Sequence, residues 1–489
     1  MNFPAITTIL AALLGIVASF LLLPITVALW YGEYRESLLF AGVMLGTMAL
    51  CAAAYFLYAR RSIDALRRRD LTARDGFLAV TLSWSLAALV GALPFWLGGV
   101  IPSFTDAYFE TMSGFTTTGA SILTDVESFP RSMLFWRSFT HWLGGMGIVM
   151  LTVAIIPLLG IGGMQLLEAE APGPTVDRLT PRIKETAKIL WFLYLGFTVI
   201  ETLLLMAGGM DLFDSLCHTF ATLGTGGFST KNASIGFYHS AYIDMVVTIF
   251  MLIGAMNFVL FYLLLRGRAR EVAANSEFKA YVAIVLFSTL LIAAELTLRG
   301  VHPSMGESAR FAVFQVASII STTGFASEDF ARWPHFSQIV LFFLMFVGGC
   351  AGSTGGGIKV IRLVSFYKLA FNEIRYLLHP RGVFTLTVDG RPVKKDAVYL
   401  MTGFFFIYIF FVLLTTLVVS TANVDLVTAL TTSLATIGNI GPGLSLVGPM
   451  SNYAHYPDFI KWWLSFAMMV GRLEVYTVFV LFSAFFWRR

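Results

Sequence analysis

The sequence predicts an all-α integral membrane protein. Four pseudo-symmetric repeats, each a helix, a re-entrant loop and a second helix, close around one axis, with an extra helix pair ahead of them. Three observations predict this. Of 489 residues 57% are hydrophobic and 13% charged, against roughly 25% charged in soluble domains. Ten uncharged or nearly uncharged runs recur along the chain, and four Thr/Gly-rich strings between them align without gaps.

The runs are 2–32, 37–59, 76–104, 138–167, 183–208, 240–265, 280–300, 336–358, 397–420 and 457–487. Each holds at least ~20 residues, enough for a helix to cross a hydrocarbon core of about 30 Å. The first is too long for a signal-peptide core and has no basic residue ahead of it, so it reads as an anchor. Lysine and arginine then orient the chain. Every second connection is basic, from Arg60, Arg61, Arg67, Arg68, Arg69 and Arg74 through Arg178 and Arg182 to Lys359, Arg362, Lys394 and Arg488, and these connections hold 24 of the 33 basic residues. By the positive-inside rule they face the cytoplasm, as do both termini. The net charge of +4 follows from that bias and gives no reason to expect nucleic acid. Cys51, Cys217 and Cys350 lie in apolar surroundings, which predicts no disulfide framework.

The four strings are FETMSGFTTTGAS (109–121), CHTFATLGTGGFS (217–229), FQVASIISTTGFA (314–326) and TTSLATIGNIGPG (431–443), and Gly119, Gly227, Gly324 and Gly441 fall in one column. Asp106 and Asp214 each stand thirteen residues ahead of it. Small residues recur behind it, in WLGGMG (142–147), LIGAMN (252–257), FVGGCAG (346–352) and MVGRLE (469–474). Self-similarity of this kind means quasi-symmetric stacking. The chain divides into a helix pair (1–75) and four repeats (76–182, 183–277, 278–395 and 396–489).

A half-helix such as 106–115, started by Asp106 at its N-terminus, enters from outside and stops partway. Its C-terminal end carries about −0.5 charge, so four such ends make a negative focus without an ionised side chain. The strings then leave in extended form. Backbone of that kind is tolerated at membrane depth only inside protein or along an aqueous cavity, and rings of its carbonyls can replace a cation's hydration shell. The candidate ligands are Thr116, Thr117, Thr118 and Gly119; Gly224, Thr225, Gly226 and Gly227; Ser321, Thr322, Thr323 and Gly324; and Gly438, Asn439, Ile440 and Gly441.

The stretch VGGCAGSTGGGIK (347–359) puts six glycines into an apolar run. From Ser337 to Leu369 a continuous helix would be ~50 Å long, so a break is expected. The spacing does not fit a phosphate loop, since Gly352 and Gly357 are followed by Ile358, Lys359 and Val360. Either the glycines let helices approach closely, or Gly348, Gly349, Gly352, Ser353, Thr354, Gly355, Gly356 and Gly357 form a loop obstructing the pore beneath the filter. Arg472 stands sixteen residues, or ~24 Å of helix, before Arg488, too deep to snorkel. It either pairs with an acid on a neighbouring helix or faces the axis and raises the barrier to a cation.

TTTGAS (116–121), RSFTHWLGGMGI (137–148), GSTGGGIK (352–359) and GRLE (471–474) give the whole chain a resemblance to the Trk/Ktr/HKT superfamily of cation transporters. The resemblance implies a channel-like protomer in the bacterial inner membrane, potassium as the transported ion, a homodimer, and a cytosolic ring of nucleotide-binding regulatory subunits of the TrkA type. It implies no organic cofactor and points to Arg472 acting with the glycine loop as a gate. Potassium selectivity in the superfamily goes with glycine at all four column positions, as here. No tetrameric-channel TVGYG follows: Ala120, Phe228, Phe325 and Pro442 stand after the column, and Asn439 and Ile440 break the Thr/Gly rule.

The expected function is gated, channel-like potassium uptake, with a potassium–proton symporter as the alternative. An enzyme would need a nucleophile, a base and an orienting acid, and no such constellation is present in the sequence. Glu201 and Glu295 are read as paired or near the outer surface, His141 as packing, and Glu110 as a position where the repeats disagree. The segments 379–395, with a hairpin around Asp389–Gly390, and 160–182 are the expected docking surfaces for a soluble partner.

Overall fold

The computed structural model describes residues 1–67, 72–147, 183–393 and 395–488. The expected crossing in 148–167, the docking loop 160–182, and Arg68, Arg69, Arg178, Arg182 and Lys394 therefore lie outside the described residues. In chain order the helices are α1 (Phe3–Phe20), α2 (Leu22–Trp30), α3 (Tyr34–Arg67), α4 (Ala73–Leu97), α5 (Phe104–Phe115), α6 (Arg131–Trp142) and α7 (Ile183–Ala207). There follow α8 (Leu212–Leu223), α9 (Ala241–Gly254), α10 (Phe258–Leu265), α11 (Ala269–Ala274), α12 (Ser276–Leu298), α13 (Met305–Ile320) and α14 (His335–Leu344). The last are α15 (Val360–Leu378), α16 (Lys395–Ser420), α17 (Leu426–Ile437), α18 (Asp458–Arg472), α19 (Tyr476–Phe479) and α20 (Ala484–Trp487).

Among the described residues six spans are long and apolar enough to cross a membrane as single helices, and two more count if each bent pair is one span. The difference from ten lies in the second helix of each repeat. α9 and α10 meet at 99°, and α18 turns by 113° into the segment from Tyr476 to Phe482. α14 ends at Leu344, and α6 gives way to a π-turn over Leu143–Gly147. The sequence reading broke one second helix; among the described residues the structure breaks three, at the small-residue strings, and in the first repeat α6 passes into the π-turn at the matching string, where the described residues end. The cause is packing. A β-carbon on Gly144 would lie 1.9 Å from the Phe115 carbonyl oxygen, and one on Gly471 2.0 Å from that of Ile437. Each glycine lets its helix close on the C-terminal end of a pore helix. Arg472 accordingly ends a helix and does not lie mid-helix, so the 24 Å depth estimate does not hold.

α5, α8, α13 and α17 are the four pore helices, and each start is capped by a side chain. Ser103, Asp211 and Asp425 accept from the amides of Asp106, Asp214 and Thr428, all sixteen residues ahead of the column. Ser304 accepts from Glu307 and begins a third pore helix of 16 residues, against 12 in the others. The first pore helix thus starts at Ser103, with Asp106 inside its first turn. Asp425 is held below the usual carboxylate range chiefly by the Thr428 hydroxyl and amide. An Asp211→Ala variant is expected to lose about 1 kcal/mol of stability, read as a lower melting temperature in detergent.

The N-terminal pair is tied to the start of α4 and to α6. Asp75 accepts from the Asn2 amide at 2.9 Å, and Glu33 caps α6 through the amides of Arg131 (2.7 Å) and Ser132 (3.0 Å). The expected hairpin forms: β1 (Thr387–Val388) pairs antiparallel with β2 (Arg391–Pro392). Asp389 and Gly390 both have positive φ, as a type I′ turn requires. Asp389 also accepts from the Ser276 amide at 2.7 Å, fixing the hairpin to α12.

Candidate functional site: a ring of four strands over a glycine loop

Where each pore helix stops, at Thr116, Gly224, Ser321 and Gly438, the chain takes the same path four times. The next residues, Thr117, Thr225, Thr322 and Asn439, have φ of 52°, 55°, 59° and 54°, and the column glycines Gly119, Gly227, Gly324 and Gly441 have 78°, 77°, 81° and 93°. Between them the amides of Thr118, Gly226, Thr323 and Ile440 bond back to Ser113, Ala221, Ser318 and Ala435 at 2.8–2.9 Å. The Asn439–Ile440 departure therefore changes side chains and leaves the backbone path intact. Asn439 uses its amide to bond the Thr118 hydroxyl and the Met468 carbonyl, both at 2.9 Å, stitching the fourth strand to the first.

The four strands meet. A β-carbon on Gly119 would lie 2.0 Å from the Gly226 oxygen, one on Gly227 2.0 Å from that of Thr323, one on Gly324 2.1 Å from that of Ile440, and one on Gly441 2.6 Å from that of Thr118. The contacts run from repeat 1 to 2 to 3 to 4 and back to 1, a closed ring. Left-handed φ and lack of room both require glycine here. All four column glycines line one cavity of about 160 Å³, with Tyr453, Pro442 and Arg137 on its wall.

Beneath the ring lies the glycine-rich segment 345–359, pinned from several sides. Gly348 and Gly349 sit in its paired stem, through Gly348 N to Ile358 O (2.9 Å) and Val360 N to Gly349 O (3.2 Å). Gly352 accepts from Phe258 N, and the Ser353 hydroxyl donates to Cys350 O at 2.6 Å. The Thr354 hydroxyl reaches the Leu223 and Gly254 carbonyls, both at 2.9 Å, while its own carbonyl accepts from Thr225 at 2.8 Å. Gly356 N donates to the Thr322 hydroxyl at 2.7 Å. Gly355 and Gly356 face Ser321 and Gly438, whose oxygens would lie 3.2 and 2.5 Å from added β-carbons, and Gly357 packs on Gly348. Arg472 joins the first repeat to this loop, donating to Thr354 O at 2.6 Å, Gly144 O at 2.7 Å and Gly145 O at 3.0 Å. Glu474 pairs with Arg362, whose guanidinium lies 3.9 Å over Phe404.

Comparison with known proteins now bears on this geometry. A family model, TrkH, described as cation transport protein, matches residues 43–298 and 280–489. The chain belongs to the TrkH family of cation transport proteins. It is 39% identical to the Trk system potassium uptake protein TrkH of Escherichia coli K12 over 492 residues, covering 100% of both chains. Identity is 40% over 494 residues to TrkH of Halomonas elongata, again at full coverage, and 35% to the E. coli protein TrkG over 95% of this chain and 94% of that one. The crystal structure of the potassium transporter TrkH from Vibrio parahaemolyticus superposes with a TM-score of 0.88 at 36% identity, covering 100% of each chain. The family is one of transport proteins, not enzymes.

In this TrkH-family chain several residues near the loop were missed or misplaced by sequence reasoning. Lys359 and Arg362, counted only as basic residues of a connection, are buried, and Lys359 donates to the Gly355 carbonyl. Glu277 accepts from Ala351 N (2.8 Å) and Ile361 N (3.0 Å), clamping both ends of the loop. In the sequence it reads as an ordinary acid in a helix's first turn. His141 is more than packing: it bonds the Gly114 carbonyl at 2.8 Å and accepts from Phe228 N at 3.2 Å. Glu295 accepts from the amide and hydroxyl of Ser337 at 2.8 and 2.6 Å. Glu201, expected to be paired or near the outer surface, is fully buried beside the Thr222 hydroxyl, with no ion pair to it among the described residues.

Proposed function

We propose that this protein is a gated, channel-like potassium uptake protein of the bacterial cytoplasmic membrane. The observation that carries the reading is the closed glycine-to-carbonyl ring shared by all four repeats. Its backbone oxygens, at the focus of four helix C-termini, would replace the hydration shell of a dehydrated cation. Glycine in every column and the names of the full-length relatives both support potassium. Inward movement would be driven by the membrane potential, worth ~2.3 kcal/mol per charge per 100 mV. The residues of the four strands are then the filter, and 348–357 with Arg472 the gate.

The four repeats are 76–182, 183–277, 278–395 and 396–489, with both termini cytoplasmic. The hairpin beyond α15 faces the same side and suits a cytosolic nucleotide-binding ring of the TrkA type, in a homodimer. Rescue of growth at low potassium in cells lacking their own uptake systems, with sodium and rubidium as competitors, tests the reading; failure of a well-expressed protein to rescue sinks it.

Glu201 favours a second reading, potassium–proton symport, because a buried carboxyl with no cation paired to it among the described residues can carry a proton. In liposomes, a reversal potential that shifts with a pH gradient and loses that shift in Glu201→Gln would support it. A reversal potential indifferent to pH supports the channel.

The loop's anchors make a smaller prediction. Thr354→Val keeps the shape and removes the one hydroxyl donor shared between two carbonyls, worth about 1 kcal/mol. Resting potassium flux is expected to rise several-fold in proteoliposomes; flux equal to that of the parent would show that Thr354 does not hold the loop shut.

A further inference from the structure

Nine residues ahead of each column glycine stand Glu110, His218, Gln315 and Thr432, side chains with nothing in common in the sequence. In the structure three of them do one job. Glu110 accepts from the Ser121 hydroxyl and the Ile122 amide, both at 2.9 Å. His218 bonds the Ser229 hydroxyl through Nε2 at 2.9 Å. Gln315 donates to the Ser327 hydroxyl at 3.4 Å and the Glu328 carbonyl at 3.3 Å. Each joins its pore helix to the turn just beyond its own column glycine. In the fourth repeat Thr432 turns to Tyr456 at 2.8 Å, and Tyr453 takes over, bonding the Gly441 carbonyl at 2.6 Å.

The first of these struts is unlike the rest because it is ionic. Arg137 Nε meets Glu110 at 2.6 Å, and Arg137 is only 3% exposed. The same guanidinium donates to the Ser229 carbonyl at 3.0 Å and the Ser121 hydroxyl at 3.1 Å, and lies 3.6 Å over Phe228. One buried pair thus holds the turns that follow Gly119 and Gly227, in two repeats at once. Those turns set how far the ring oxygens can move.

We propose that Glu110 and Arg137 form a positioning pair that fixes the width of the ring between repeats 1 and 2, and thereby the discrimination between potassium and the smaller sodium ion. The claim rests on the filter reading above. A ring held from behind keeps its oxygens at the spacing that suits potassium; a ring free to contract follows sodium inward. Removing one charge alone would strand the other in the interior, so the informative variants remove both charges or neither.

The test is the potassium-to-sodium permeability ratio from bi-ionic reversal potentials of the purified full-length protein in proteoliposomes. The double variant Glu110→Gln with Arg137→Met is expected to lower the ratio about tenfold, and Ser121→Ala, which leaves the ion pair intact, a few-fold. Potassium flux per folded protein should change less than the ratio in both. Gly119→Ser serves as the reference. If it lowers the ratio while both strut variants keep the parental value, the positioning pair is overturned and the filter reading survives. If Gly119→Ser also leaves the ratio unaltered, both fall. Should the double variant not fold, Arg137→Lys, which keeps the charge and loses the fork that reaches Ser229 and Ser121, decides alone, and a parental ratio there overturns the proposal.

Discussion

Replacing Arg472 with methionine is expected to raise the resting potassium flux by ~10–100-fold. Methionine keeps a stem of similar reach, so the packing of the aliphatic part persists. What goes is the fork that holds Thr354 O at 2.6 Å and the Gly144 and Gly145 carbonyls at 2.7 and 3.0 Å. A hydrogen bond from a charged donor contributes about 1.5–3 kcal/mol net, and 1.4 kcal/mol is a factor of ten in an equilibrium. Freeing the loop must break the Thr354 bond, so its loss alone moves the open population by one to two decades. The positive charge adds a barrier to any cation leaving the ring inward, though Lys359 stays behind and keeps part of it. Arg472→Lys separates the two effects, because lysine keeps the charge and loses the fork. Flux from Arg472→Lys near that of the parent would assign the gate to charge; flux near that of Arg472→Met would assign it to the tether. Flux from folded Arg472→Met at or below the parental level would remove Arg472 from the gate.

Much of this architecture was legible in the sequence because its signals are backbone signals. A left-handed residue with no room for a β-carbon can only be glycine, so Gly119, Gly227, Gly324 and Gly441 stand out in a single chain without any alignment of relatives. The re-entrant pore helices were legible for a related reason, since a short apolar stretch that ends in Thr and Gly cannot span. The further breaks, in the second and fourth repeats, were not legible. A sharp bend at Ala255–Asn257 needs only one or two small residues, and in LIGAMN they look like ordinary membrane-helix composition. The struts were invisible for the opposite reason. Glu110, His218 and Gln315 share a position and a task but no chemistry, and only the distance to the turn beyond the column reveals it. The roles of Lys359 and Glu277 were invisible because each depends on contacts with a loop that folds back beneath the ring, which spacing along the chain does not reveal.

Substituting Gly119 with serine is expected to lower the potassium-to-sodium permeability ratio at least ~10-fold, the largest selectivity change any single substitution here should produce. Two costs coincide at this position. The backbone has φ 78°, where an L side chain is disfavoured by roughly 1–2 kcal/mol. The new β-carbon would also lie 2.0 Å from the Gly226 oxygen and 3.2 Å from its carbon, so that oxygen must retreat. Its retreat opens the ring between repeats 1 and 2, and the serine hydroxyl becomes available as a ligand in its place. A ring with one displaced oxygen and one mobile hydroxyl no longer enforces a single spacing, so sodium finds the short contacts it needs. The same geometry ranks the four columns. Gly227 and Gly324 face carbonyls at 2.0 and 2.1 Å and should respond like Gly119, whereas Gly441 has 2.6 Å to the Thr118 oxygen and should respond less. Reversal potentials of the four serine variants under potassium and sodium gradients measure the ranking directly. A preserved potassium preference in Gly119→Ser, or a larger loss at Gly441 than at the other three, would contradict the assignment of selectivity to this ring.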